Sequence, residues 1–279
     1  MIRLPAVAGA FYEGERGALL SRIEWCYTHP HGPGRLPSPG RGGERALGLV
    51  SPHAGYMYSG PVAAHGYALL ASSPPKTVVV LGPNHTGMGS GVSLSPHRAW
   101  RTPLGEVEVD GALSRSLAEE CELMDLDELA HRYEHSIEVQ LPFLQHLFGS
   151  GFRLVAVCMM LQDERTSEEV GRALAEILRG REAAIVASTD FTHYEPAERA
   201  RRKDAKALER IEALDWRGLL RTVEREDITM CGYGPVAAML RACVELGAKR
   251  GRLLKYATSG DTAGPMPEVV GYGSLAVTV

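Results

Sequence analysis

The chain has 279 residues and a formal net charge of -4, with 44% hydrophobic and 23% charged residues. This composition is typical of a globular protein. It excludes wholesale disorder and argues against a nucleic-acid-binding surface that covers the whole molecule. Five cysteines without CxxC spacing argue against a disulfide framework or a cysteine-rich zinc site.

The sequence predicts one cytoplasmic domain over residues 1–279. No apolar run reaches about 18 residues, and the first residues lack a signal-peptide pattern, so neither a membrane span nor secretion is expected. No linker divides the chain. The Pro- and Gly-rich segment 29–45 is predicted to be a surface loop.

The first two thirds of the chain alternate between helical and strand patterns. Leu19 and Ile23 recur with helical spacing, whereas TVVVL at 77–81 is typical of a buried strand. We predict a kink at Pro142 in the fourth helix, and Glu138 of that helix is interpreted as a solvated charge. The strands are predicted at 46–50, 77–81, 91–94, 152–159 and 183–187. After the first helix, the helices are predicted at 61–71, 110–121, 135–148 and 167–179.

The last third of the chain is more helical. Helices are predicted at 196–214, 215–226 and 235–246, and closing strands at 252–258 and 271–279. Strands that alternate with helices along the whole chain favour a three-layer α/β sandwich.

Three predicted strands end in loops that carry a histidine. These loops contain His53 in SPHAGY, His85 in GPNH, and both Asp190 and His193 in STDFTHY. If the strands are parallel, their carboxyl ends meet at one edge of the sheet, where α/β proteins bind ligands. Metal sites and acid/base sites draw on several elements, so we predict that these side chains share one crevice.

Cys231 differs from the other cysteines in its context. It lies in MCGYGP, just before a predicted helix, and a helix N terminus stabilises a thiolate. A thiolate is a soft metal donor or a nucleophile. The other four cysteines are interpreted as small core residues or incidental ones.

Six segments together resemble the Memo family, which is named for a mediator of receptor-driven cell motility. They span nearly the whole chain, and PHAGY, EHSIE and STDFTHY in this order form a specific signature. The matching segments are AGAFY (8–12), SPHAGYMYSG (51–60), LGPNH (81–85), YEHSIEVQLPFL (133–144), ASTDFTHY (187–194) and MCGYGP (230–235).

The resemblance implies an α/β/α sandwich with a central mixed sheet, similar to the class III extradiol dioxygenases, which are non-haem iron enzymes that cleave catechol rings. It also implies a metal held by His53, His85 and Cys231. In the dioxygenases a carboxylate takes the position that Cys231 has here. Iron(II) is the expected cofactor, with copper or zinc as alternatives that a thiolate would favour.

The resemblance further implies that Asp190, His193 and His135 line the same pocket. His193 would act as general acid/base, and Asp190 would orient a ligand histidine. His135, at the start of a predicted helix, would be an unprotonated catalytic or packing residue. Tyr56 and Asn84 would hydrogen-bond the substrate.

Three functions remain open at this point. The first is a metal-dependent redox enzyme acting on a small aromatic or on a modified macromolecule. Relatives of this kind are associated with an AMMECR-type protein and a radical SAM protein, which implies a shared modification pathway. The second is a non-catalytic module that binds a peptide or phosphopeptide in the crevice. The third is a metal- or cysteine-dependent hydrolase, with Cys231 as nucleophile and His193 as base.

Overall fold

A large mixed sheet forms the centre of the molecule in the computed structural model, which describes residues 1–38, 40 and 44–279. The strands are β1 (Ile2–Arg3), β2 (Ala46–Ser51), β3 (Thr77–Pro83), β4 (Val92–Leu94), β5 (Ala99–Thr102), β6 (Gly105–Glu108), β7 (Met124–Leu126), β8 (Arg153–Met159), β9 (Ala183–Ser188), β10 (His193–Glu195), β11 (Arg250–Thr258) and β12 (Val269–Thr278). The helices are α1 (Arg16–Thr28), α2 (Tyr56–Leu70), α3 (Gly111–Glu120), α4 (Leu141–Phe148), α5 (Glu164–Leu178), α6 (Ala197–Glu212), α7 (Trp216–Arg225), α8 (Tyr233–Glu245) and α9 (Ser259–Thr262).

The main sheet has the strand order β10-β12-β2-β9-β3-β8-β4-β7, and β11 pairs with β12. The four central strands β2, β9, β3 and β8 run parallel, whereas β12 pairs antiparallel with β2 and β4 pairs antiparallel with β8. A small second sheet joins β1, β5 and β6. The mixed sheet expected from the sequence is therefore confirmed.

The side chains of β3 alternate between two cores on opposite faces of the sheet. Val78 and Val80 pack with residues of α1, α2 and α4, whereas Val79 and Leu81 pack with residues of α3, α5 and α8. All four side chains are fully buried, and each contributes about 1.5–3 kcal/mol by leaving water. The three-layer α/β/α sandwich is thus confirmed, with helices covering both faces of the sheet.

The predicted helix at 135–148 is shorter than expected. A single 3-10 turn spans Glu138–Gln140, and α4 starts only at Leu141. Pro142 therefore lies in the first turn of α4, where a missing N–H costs nothing, and the predicted kink is absent. In contrast, α2 begins at Tyr56, five residues before the predicted start, and includes Pro61 in its interior.

The described residues of segment 29–45 contain no helix or strand, and positions 39 and 41–43 of this segment lie outside the described residues. Short strands that the sequence did not predict, such as β6 and β10, have mixed or exposed side chains and hence no apolar run to mark them. Across the described residues, no helix has both the length and the apolar character that crossing a membrane requires.

Candidate metal centre

The central parallel strands bring the predicted site residues to one edge of the sheet. His53 follows β2 by two residues, His85 follows β3 by two, and Asp190 follows β9 by two. Because β9 lies between β2 and β3, these three turns are neighbours. They open into a cavity of about 600 Å³, whose wall also includes His135 and His193.

Three imidazoles form a cluster in this cavity. His53, His85 and His135 each offer a ring nitrogen, and these atoms all lie within 4.8 Å of one another. The ring centroids of His53 and His85 are 5.2 Å apart, and His135 lies 5.3 Å from His53 and 4.7 Å from His85. Such a cluster is compact enough for one metal ion.

The protonation of the His53 ring is fixed by a buried hydrogen-bond chain. The side-chain amide of Gln140 donates to the Pro52 carbonyl at 3.0 Å and to the Ser188 hydroxyl at 2.8 Å. Ser188 in turn donates to the Ser136 carbonyl at 2.7 Å, so its oxygen accepts from Nδ1 of His53 at 2.8 Å. Nδ1 therefore carries the proton, and Nε2 keeps a free lone pair.

Burial also keeps the His53 ring neutral. His53 is 2% exposed. Its desolvation, together with the neighbouring imidazoles of His135 and His85, lowers the pKa of His53 well below its ordinary range. The ring is therefore neutral at physiological pH, which is the form that binds a metal.

Glu134 fixes the second histidine. Its carboxylate accepts from Nδ1 of His85 at 2.9 Å and from the His85 backbone N–H at 2.5 Å. It also accepts the backbone N–H groups of His135 and Ser136, both at 2.9 Å. Burial alone would raise the pKa of Glu134, but these hydrogen bonds and the adjacent imidazoles outweigh it and lower the pKa to about 2. The carboxylate thus stays ionised and leaves Nε2 of His85 free.

Cys231 contacts one member of the cluster, His53, and is not among the three residues whose donor atoms lie within 4.8 Å of one another. Its Sγ lies 3.3 Å from Nε2 of His53 and accepts the Asp190 backbone N–H at 3.2 Å. Burial, and next the charge of Asp190, raise the pKa of this thiol to about 12. Cys231 lies just before α8, which starts at Tyr233, but burial and the charge of Asp190 outweigh any stabilisation of a metal-free thiolate by the helix N terminus. Without a metal the thiol keeps its proton, which can point to His53.

Asp190 and His193 complete the polar part of the wall. Asp190 accepts the backbone N–H of His53 at 2.9 Å, so it fixes the turn of His53 rather than its ring. Burial raises the pKa of Asp190 to about 6. His193 donates from Nδ1 to the Thr229 carbonyl at 2.7 Å, which leaves Nε2 free to accept a proton in the cavity.

Comparison with known proteins identifies the family. The sequence profile described as "Memo-like protein" matches residues 3–276. The chain belongs to the Memo-like family. MEMO1 family proteins of Methanopyrus kandleri and Methanothermobacter thermautotrophicus are each 52% identical to it over 99% of its length, and over 98% and 100% of their own. A MEMO1 family protein of Sulfurisphaera tokodaii is 49% identical over 99% of each chain.

The Memo-like chain shares its fold with a more distant protein of known structure. An uncharacterized protein of Escherichia coli K12 matches it with a TM-score of 0.54 and 17% identity. The match covers 83% of this chain and 99% of that one. At this identity the likeness concerns the fold alone.

Two residues of the Memo-like motifs, Tyr56 and Asn84, do not line the described cavity wall. Tyr56 is buried and donates from its hydroxyl to the Val139 carbonyl at 2.7 Å. The Asn84 carbonyl oxygen accepts from Thr86 and Gly87, and its amide donates to the Met88 carbonyl at 2.7 Å. In these contacts Tyr56 binds the backbone of the 3-10 turn and Asn84 closes its own loop.

Several residues that support the Memo-like site were not predicted from the sequence. Ser188 and Gln140 look unremarkable in sequence, because their role depends on contacts between distant segments. Glu138 was expected in solvent, yet it is fully buried and binds Arg3 and the Tyr12 hydroxyl. The pairing of Arg3 with an acidic residue far along the chain has no local signal that could have revealed it.

Proposed function

We propose that this Memo-like protein is a metal-dependent redox enzyme of the dioxygenase-like type, with the metal held by His53, His85 and Cys231. The observation that carries the proposal is the state of the two imidazoles. Each has Nδ1 committed to an acceptor, Ser188 or Glu134, so each keeps an Nε2 lone pair within the same cluster. Such partners are typical of ligand histidines.

The proposed donors fit a transition metal. Imidazole suits iron, copper and zinc, and a thiolate adds a soft ligand that favours copper or zinc. We propose iron(II) as the native ion, with copper or zinc as competitors. A bound ferrous ion would supply the O2 and one-electron chemistry that side chains lack. Nε2 of His193 would hold or release the proton in the cavity.

The identity of the third ligand needs a separate test. The ring nitrogen of His135 lies within 4.8 Å of those of His53 and His85, so His135 competes with Cys231 for that position. We would load the anaerobic protein with cobalt(II) and record its absorption. Thiolate ligation gives a sulfur-to-cobalt charge-transfer band, which should vanish in Cys231→Ser and persist in His135→Ala. No such band in the parent protein, together with loss of cobalt binding in His135→Ala, would make His135 the third ligand and contradict the proposed set.

Metal content provides the wider test. The protein purified anaerobically without a His-tag should contain near-stoichiometric metal, and His53→Ala should lose it. His31→Ala removes an imidazole from the segment outside the cluster and should keep the metal, so it controls for non-specific binding. No metal in the parent protein, even after anaerobic loading, would contradict the proposal.

The hydrolase alternative is less well supported. A nucleophilic cysteine needs a thiolate, whereas burial raises the pKa of Cys231 to about 12. Oxygen dependence separates the two functions, because a hydrolase should keep its activity without oxygen. The AMMECR-type and radical SAM partners implied by the family, and the cytoplasmic location, stay predictions.

A further inference from the structure

The cavity has an apolar wall beside its imidazoles. Phe11, Tyr58, Met266, Val270 and Tyr272 all contribute to it. Phe11 lies against the histidine cluster, with its ring centroid 4.6 Å from that of His135. A cavity of about 600 Å³ lined in this way is of a size and character that suit a small aromatic molecule.

Among the described residues, the fixed charges of the same wall are all negative. Among the described residues that line it, none is a lysine or arginine, and the carboxyl groups are those of Asp190 and Glu268. Glu268 is exposed, and no described residue forms a hydrogen bond or ion pair with its side chain. A negatively charged ligand would therefore find no fixed cation there apart from a bound metal.

The segment that carries Glu268 is held in a defined position. At its start, Asp261 accepts two hydrogen bonds from Arg201, at 2.6 and 2.8 Å. At its end, the Val270 backbone N–H donates to the Ser259 hydroxyl at 3.0 Å, which closes the loop between β11 and β12. Glu268 is thus presented to the cavity by an anchored loop.

Building on the proposed function, we infer that the site takes an aromatic molecule that bears an ammonium group. The ring would pack against Phe11, Tyr58 and Tyr272, and the ammonium would lie near Glu268 and the aromatic faces at the cavity mouth, including that of Tyr194. The same features disfavour aromatic acids and aryl phosphates. They therefore also argue against the phosphopeptide-binding function.

Matched probes test this inference. We would measure by titration calorimetry the affinity of the metal-loaded protein for tyramine, 4-ethylphenol, 4-hydroxyphenylacetate and phenyl phosphate. Tyramine should bind about tenfold more tightly than 4-hydroxyphenylacetate, because the ammonium gains both carboxylate and aromatic contacts. Butylamine, which lacks the ring, should bind at least about tenfold more weakly than tyramine.

Variants locate the source of the preference. Glu268→Gln should reduce the ratio between tyramine and 4-hydroxyphenylacetate to about threefold or less, and leave 4-ethylphenol affinity within about twofold. Glu119→Gln, an exposed glutamate on α3, should change neither value. An unchanged ratio in Glu268→Gln would overturn the inference, as would tighter binding of 4-hydroxyphenylacetate or phenyl phosphate by the parent protein.

The metal content of the same samples keeps the two proposals apart. A parent protein that takes up metal but shows no preference for tyramine would contradict only the substrate class. A protein that takes up no metal would contradict the proposed function. In that case a tyramine preference lost in Glu268→Gln would still support the ligand class.

Discussion

His53 and His85 differ in what holds their Nδ1 protons. His53 donates to a neutral hydroxyl, that of Ser188, whereas His85 donates to the ionised carboxylate of Glu134. A carboxylate acceptor makes an imidazole more electron-rich and a stronger metal donor. We therefore expect His85 to contribute more to metal affinity than its partly exposed position suggests.

Glu134→Gln tests this dependence. The amide keeps one acceptor but loses the charge and the second oxygen, so metal affinity should fall about 10- to 100-fold. A competition titration against a chelator of known affinity measures the loss. Glu119→Gln should have no effect. Unchanged affinity in Glu134→Gln, with the fold intact by circular dichroism, would show that the carboxylate does not tune the ligand.

Some residues of the site were predictable from the sequence, and others were not. His53, His85 and Asp190 were predictable because each directly follows an apolar strand, and strand ends share an edge. Ser188 and Gln140 were not, since the hydrogen-bond chain joins residues from three separate segments. The supports of a site are set by tertiary contacts, which local patterns do not encode.

At the scale of elements, boundaries were predicted less well than types. The periodicity at 135–148 predicted one helix, but a 3-10 turn before α4 carries Glu138 and Gln140. Gln140 can reach Ser188 and Pro52 from this position. The local departure from a regular helix is thus part of how the site is supported.

Helices α5 and α8 pack so closely at Gly171 that there is no room for a side chain at this position. A Cβ added at Gly171 would lie 2.6 Å from Cβ of Arg241 and 2.7 Å from the Ala238 carbonyl oxygen. Gly171→Ala should therefore lower the free energy of unfolding by about 1–3 kcal/mol, despite the better helix propensity of alanine. Urea denaturation measures the change.

Gly111→Ala is the matched control for Gly171→Ala. Gly111 is also helical, in α3, but the nearest atom to an added Cβ is a flexible Arg115 nitrogen at 3.5 Å. This substitution should stabilise the protein by about 0.5–1 kcal/mol. If both variants were stabilised equally, the close approach of α5 and α8 would not be limiting.

At the scale of the whole molecule, the first strand is tied to the site. Arg3 is 2% exposed, forms an ion pair with Glu138, and donates to the Glu134 carbonyl at 2.7 Å and the His131 carbonyl at 3.0 Å. Its guanidinium also lies 4.3 Å from the ring centroid of Trp100. One side chain thus joins the small sheet to the segment that holds Glu134.

Removal of Arg3 should destabilise the fold. Arg3→Met leaves Glu138 buried without its cation and should lower the free energy of unfolding by about 3–5 kcal/mol. The double variant Arg3→Met/Glu138→Gln should recover part of that loss, since no unpaired charge remains. Chemical denaturation compares the two. A double variant no more stable than Arg3→Met would contradict this explanation.

Acid should weaken the whole fold through His131. Burial, and then the neighbouring Arg3, lower the pKa of His131 to about 3, while its Nε2 donates to the Ser93 carbonyl at 3.1 Å. An unfolded histidine has a pKa of about 6.5. Below that pH the unfolded chain binds a proton that the folded chain does not, so stability falls by about 2 kcal/mol by pH 5.

Denaturation at pH 7 and pH 5 measures this effect. His131→Gln should lose most of the difference that His131 causes, whereas His31→Ala should keep it. A pH profile that is the same in His131→Gln as in the parent protein would assign the acid sensitivity to other groups.

The place of β12 in the sheet bears on when the proposed metal site could form during synthesis. β12 pairs with both β2 and β11, and its residues Val270 and Tyr272 form part of the cavity wall. A growing chain therefore exposes His53 and His85 well before the strand that encloses them is made. Ribosome-bound chains stopped before β12 should bind metals in the order of affinity that free imidazole and thiol groups show, without selection by the fold. Discrimination between metals is then expected only of the finished fold.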